Sequence, residues 1–128
     1  MRISSNRCIL EEVAALITAG VDIGSSSSKV VILQDGANIL SKVVIPVGTG
    51  TSGPTRSFEQ ALGEANLERK NIDWIIATGY GRNNFIAADQ QLSEISCHAR
   101  GVFYLLPEVG TIIDIGGQDA KAIKVGPK

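Results

Sequence analysis

With 128 residues, 44% of them hydrophobic and 20% charged, the chain is too apolar for a disordered tail and long enough to bury one core. Twelve basic against 13 acidic side chains leave a formal charge of −1, which excludes the one-signed field of a nucleic-acid or membrane-surface binder. Two cysteines make no disulfide scaffold, and the longest apolar stretch, Val13 to Val21, falls short of the roughly 20 residues of a membrane helix. Arg2 and Arg7 suggest a signal peptide, but Glu11 and Glu12 sit where its apolar region belongs. The expectation is a soluble, cytoplasmic α/β protein.

Residues 1–15 show no strong period and read as an N-terminal extension. The apolar run Leu16 to Ile23 is closed by Gly24 and four serines, and Lys29 to Leu33 returns to the hairpin signal Asp35-Gly36. Ile39 to Val47 completes an antiparallel meander, and Pro46, lacking a donor, puts that strand at a sheet edge. Pro54 suits a first helical turn, and Phe58, Ala61, Leu62, Ala65 and Leu67 predict a helix through Arg69. Trp74 to Thr78 predicts a buried strand closed by Gly79-Tyr80-Gly81. Leu92, Ile95, Ala99, Val102, Phe103 and Leu106 keep helical spacing until Pro107, and Thr111–Ile115 and Ala120–Val125 predict two last strands. The order βββαβα, then a new ββ, is neither a βαβ repeat nor all-β.

One internal repeat carries most of the chemistry. Val21-Asp22-Ile23-Gly24-Ser25-Ser26-Ser27-Ser28-Lys29-Val30-Val31 aligns without a gap with Ile113-Asp114-Ile115-Gly116-Gly117-Gln118-Asp119-Ala120-Lys121-Ala122-Ile123. Each copy is a strand, a carboxylate near its end, a small-residue turn and a return strand. Such turns let backbone N–H groups surround an anion. A carboxylate beside each turn suits a hydrated Mg²⁺ next to phosphates. Two such turns facing each other would clamp the β- and γ-phosphates of a nucleotide. The competing reading is a pair of ordinary hairpins in which Asp and Gly merely serve the turn.

These strings resemble the two phosphate motifs of the acetate and sugar kinase/heat-shock chaperone/actin superfamily. With Val47-Gly48-Thr49-Gly50-Thr51-Ser52-Gly53-Pro54, Ala77-Thr78-Gly79-Tyr80-Gly81-Arg82-Asn83 and Ser93-Glu94-Ile95-Ser96-Cys97-His98-Ala99-Arg100-Gly101, the chain is similar to the activator ATPases of 2-hydroxyacyl-CoA dehydratases and their benzoyl-CoA reductase relatives. The resemblance runs from Ala19 to Val125. It implies a ribonuclease-H-like first ATPase lobe over residues 16–106 and the start of a second lobe, truncated, over residues 107–128. It implies ATP and Mg²⁺, a homodimer, and low-potential electron delivery to a dehydratase or reductase partner, with no role for nucleic acid or membrane. The [4Fe-4S] cluster of that family is implied to be held by cysteines downstream, with no ligand in this chain.

Residue by residue, Gly24, Ser25, Ser26, Ser27, Ser28, Lys29, Gly116 and Gly117 are expected at the phosphates. Asp22 and Asp114 would hold Mg²⁺ through water, and Gln118 or Asp119 would position the attacking water. With the rest of the second lobe missing, Gly116 to Lys121 is expected to be mobile or to dock elsewhere, an exposed sheet edge being one such place. A kinase lobe of the sugar or acetate type and a non-catalytic interaction module stay open beside this reading.

Gly48-Thr49-Gly50-Thr51-Ser52-Gly53 is also a literal G-x-G-x-x-G, but it follows a third strand and the next strand ends without an acid, against a dinucleotide site. Arg82 reads as a loop arginine that could meet a phosphate or a partner's carboxylate. Glu94, Cys97 and His98 share a helical face, yet so few ligands make a poor metal site, and Cys97 reads as a buried structural thiol. A single histidine and no nucleophile elbow exclude a serine-hydrolase triad.

Overall fold

Apolar residues at every second position of the first three runs put one face of each strand into a common core. In the computed structural model, which describes residues 14–117 and 119–126, these become β1 (Ile17–Ile23), β2 (Ser28–Gln34) and β3 (Asn38–Ile45). Val21, Ile23, Val30, Ile32, Val43 and Ile45 are buried on that face. The β2–β3 turn places Asp35 at φ 55° and Gly36 at φ 71°, the left-handed pair of a hairpin turn that matches strand twist. β3 stops at Ile45, one residue before Pro46, and forms the sheet edge as its missing donor requires.

Helix α1 (Gly53–Glu64) follows, with Pro54 in its first turn. Ser57, Phe58, Ala61 and Leu62 form its buried stripe, and Phe58 meets Phe85 edge-on at 5.7 Å between ring centroids. The expected continuation to Arg69 does not occur. Asn66 adopts φ 56°, its N–H donates to the Gly63 carbonyl, and the Leu67 N–H donates to the Leu62 carbonyl, a double bond pattern that ends a helix. Leu67 still packs against the core as an apolar residue beyond the helix, which is why spacing alone overran the end.

β4 (Trp74–Thr78) runs parallel to β1 after the excursion through β2, β3 and α1, pairing Asp22 with Thr78. A two-residue β5 (Gln90–Gln91), too short to leave a periodic signal, extends the sheet to the order β3-β2-β1-β4-β5. Helix α2 (Glu94–Leu105) starts on the Ser93 hydroxyl, which accepts from the Ser96 N–H. Its apolar residues are not a core face here: Ile95, Phe103, Tyr104 and Leu105 are exposed. β6 (Thr111–Ile115) and β7 (Ala120–Lys124) form a separate antiparallel pair. Most of the expected 1–15 extension, with Cys8, and also Gln118 lie outside the described residues. Among the described residues, no helix is long and apolar enough to cross a membrane.

Candidate functional site

The sequence repeat becomes a geometric one. In the first copy the Gly24 N–H donates to the Ser27 carbonyl at 2.9 Å; in the second the Gly116 N–H donates to the Asp119 carbonyl at 2.8 Å. Asp22 stands across the ladder from Lys29, and Asp114 across from Lys121. Each cross-strand pair forms an ion pair, Lys29 Nζ to Asp22 Oδ2 at 3.4 Å and Lys121 Nζ to Asp114 Oδ2 at 3.6 Å. An ordinary hairpin has no need of the same carboxylate, turn closure and lysine twice.

The two turns face each other across a cleft of about 420 Å³. Gly24, Ser25, Ser26, Ser27, Asp22 and Lys29 line one side; Gly116, Gly117, Asp114, Asp119 and Lys121 line the other. They approach closely at Gly117, where a Cβ would lie 2.5 Å from the Ser26 hydroxyl oxygen. The second turn is therefore opposite the first, and not docked along a sheet edge. Gln118 lies outside the described residues.

Ser28 does not join the other serines. It is buried at the start of β2, and its hydroxyl donates to the Val47 carbonyl at 2.7 Å. Strand alternation decides this: Lys29 points to the cleft, so its neighbour points into the core. The 48–53 loop backs the first turn, with the Thr49 N–H donating to the Gly24 carbonyl at 2.9 Å. Its glycine pattern thus serves loop packing. Gly79, at φ 94°, lies so close beneath the turn that a Cβ would collide with the Ile23 carbonyl and the Asp22 carboxylate. Arg82 turns inward and donates to the Gly79 carbonyl at 3.0 Å, bracing its own loop.

Three cleft residues lay outside the repeat. Tyr80 follows Gly79 into the cleft, and Glu94 and His98, one helical turn apart on α2, reach it from the side. His98 Nδ1 lies 2.9 Å from Asp114 Oδ2. Their i, i+4 spacing was visible in the sequence, but what they faced was not. Cys97 is half-buried and does not line the cleft, so the expectation of a buried thiol needs amending. The Lys121 ammonium is held above its ordinary value of 10.5, first by its hydrogen bond to Asp119, with Glu94, Asp119 and Asp114 adding attraction and desolvation opposing.

No cluster of three His, Cys, Asp or Glu side chains able to cage a metal occurs among the described residues. The donor set still fits Mg²⁺, which keeps several waters and takes one or two carboxylates together with phosphate oxygens. Asp22 and Asp114, one on each side of the cleft, meet that description. The described residues alone do not fit an iron–sulfur cluster: Cys97 is the only cysteine among them, and such a cluster takes about four thiolates.

Relatives share both sequence and shape. The activator of lactoyl-CoA dehydratase from Anaerotignum propionicum is 54% identical over 113 residues, 88% of this chain and 44% of that protein. The structure of the activator of 2-hydroxyisocaproyl-CoA dehydratase from Clostridium difficile with bound ADPNP superposes with a TM-score of 0.85 at 52% identity, covering 87% of this chain and 41% of that one. YeaZ from Pseudomonas aeruginosa, at 11% identity and a TM-score of 0.54 over 84% of this chain and 64% of that one, shares the fold alone. The chain thus spans under half the length of the activators it matches. The profile of one family matches residues 19–127, and with that span the chain belongs to the BadF/BadG/BcrA/BcrD ATPase family.

Proposed function

We propose that this chain supplies the phosphate-binding part of an ATP-hydrolysing activator of a 2-hydroxyacyl-CoA dehydratase or benzoyl-CoA reductase. The observation that carries it is the pair of like turns, each with its carboxylate and lysine, opposed across one cleft. Residues 16–106 would be the first ATPase lobe and 107–128 the beginning of the second. The name of the A. propionicum relative and the ADPNP held by the C. difficile activator support the nucleotide and the partner class. Dimerisation, cytoplasmic location and electron delivery belong to the same proposal for the whole protein. The electron step is not assigned to any described residue, because the one described thiol does not make a cluster site.

The chemistry asked of these residues is positioning and charge compensation, which is most of what phosphoryl transfer requires. The backbone amides of Ser25 to Ser27 and of Gly117 would donate to phosphate oxygens, helped by the Ser25, Ser26 and Ser27 hydroxyls, while the Gly24 and Gly116 N–H groups close the two turns. The Ser28 hydroxyl is not among them, since it is taken by the Val47 carbonyl. Lys29, paired with Asp22 and lining the cleft, would share its charge between Asp22 and a phosphate. Asp22 and Asp114 would orient water on Mg²⁺, which when bound neutralises charge on the phosphates. Asp119, at the lip of the second turn, or Gln118 would align the attacking water.

In the protein, Asp22→Asn keeps the fold and lowers Mg²⁺-dependent ATP hydrolysis by at least roughly 100-fold, the scale of losing one preorganised electrostatic group. Phosphate release near the wild-type rate would remove Asp22 and the paired-turn reading together.

A further inference from the structure

We propose that His98 is a positioning residue for the second turn, holding the Asp114 carboxylate over the cleft and so setting the separation of the two turns. The proposal rests on the nucleotide reading of that cleft and adds a residue that the repeat does not contain.

The ionised carboxylate of Asp114 only accepts, so the 2.9 Å contact requires the ring proton on Nδ1 of His98. Among the described residues this is the one side-chain hydrogen bond joining residues 14–105 to the β6–β7 hairpin. Lys121, the other partner of Asp114, lies on the same hairpin and moves with it. The first turn needs no such tie, because β1 and β2 are paired on both sides in the sheet.

His98 is itself fixed to that sheet through a short path. Asp22 pairs with Thr78 in the β1–β4 register. The Thr78 hydroxyl donates to the Leu92 carbonyl at 2.8 Å, and the Leu92 N–H donates to the Ala77 carbonyl at 3.0 Å. Ser93 then caps α2, and His98 lies in the second turn of that helix. The two carboxylates of the cleft are thereby connected, Asp22 directly on β1 and Asp114 through Thr78, Leu92, the α2 start and His98. Losing the ring would leave the second turn attached by the Leu106–Gly110 connection and by hairpin packing, with its distance from the first turn no longer set.

The test compares His98→Asn, His98→Gln and His98→Ala in the protein, with Asp22→Asn as reference, by calorimetric titration with Mg·ADPNP. An asparagine amide places a donor where Nδ1 stands, whereas glutamine reaches the position of Nε2. We expect His98→Asn to bind within about threefold of wild type. His98→Gln and His98→Ala should bind about 10-fold or more weakly, as for loss of a hydrogen bond to a charged group. Ring ¹⁵N spectra of the nucleotide-free protein should show the Nδ1–H tautomer. Equal affinity of all three variants, or an Nε2–H tautomer, overturns the proposal while Asp22-dependent binding leaves the nucleotide reading standing. Absence of any Asp22-dependent Mg·ADPNP binding in wild type overturns the nucleotide reading, and this role of His98 with it.

Discussion

The β1–β2 hairpin is paired with β4 on one side and β3 on the other, and Val21, Ile23, Val30 and Ile32 are 1% exposed or less. The β6–β7 hairpin pairs only with itself and leaves Ile113 72% and Ile115 77% exposed, with Ile123 as its buried residue. Both nevertheless close their turns with the same bond and carry the same carboxylate–lysine pair. Turn closure and cross-strand pairing involve neighbours within a single hairpin, so like sequences reproduce them. Burial depends on what the rest of the chain places alongside, and there the copies part. The first turn is held by the sheet; the second is held where a single histidine meets it.

The sharpest way to break this comparison is to remove equivalent bulk from each hairpin. Ile32→Ala should cost about 2–5 kcal/mol in urea unfolding, because Ile32 is fully enclosed and its cavity cannot collapse. Ile113→Ala should change stability by no more than about 0.5 kcal/mol. A comparable loss at Ile113 would mean that packing, and not His98, holds the second hairpin.

A smaller effect separates the aligned positions Ser28 and Ala120. Ser28→Ala gives the first hairpin the residue of the second, and orphans the part-buried Val47 carbonyl. It should cost about 1–3 kcal/mol. Ser26→Ala, whose side chain faces the cleft, should leave the urea midpoint unchanged and weaken nucleotide binding instead. If Ser28→Ala is silent in stability, the hydroxyl is not committed to the core.

The smallest effect concerns Lys121 and pH. Its folded-state pKa is raised, so the ammonium is worth more to the folded chain than to the unfolded one. That contribution is fully present below the ordinary value of 10.5 and is lost as pH rises through the higher folded value. In the absence of Mg²⁺ and nucleotide, the urea midpoints of wild type and Lys121→Met should differ by a constant amount up to about pH 10 and converge above it. Convergence beginning near neutral pH would contradict the pairing with Asp119.

Much of the part built on β1 to β4 was legible because its signals are local. Alternation gave β1 to β3, Asp35-Gly36 the turn, Pro46 the edge and Pro54 the start of α1. The helix end was missed because Leu67 continued the apolar spacing while Asn66, in the left-handed region, had already stopped the helix. β5 was missed because two exposed glutamines have no period; Asp89 and Leu92 beside them give the pairing.

At the cleft, the 11-residue repeat, whose copies lie 92 residues apart, determined the two turns, their carboxylates and their lysines, since each lies within one hairpin. Which serine hydroxyls reach the cleft was decided by the core, which claimed Ser28 for Val47. That the turns oppose each other, and that His98 meets Asp114 from 16 residues away, was decided by the tertiary structure alone. A side chain's chemistry is written in the sequence, but its partner across a cleft depends on the path of every element between them.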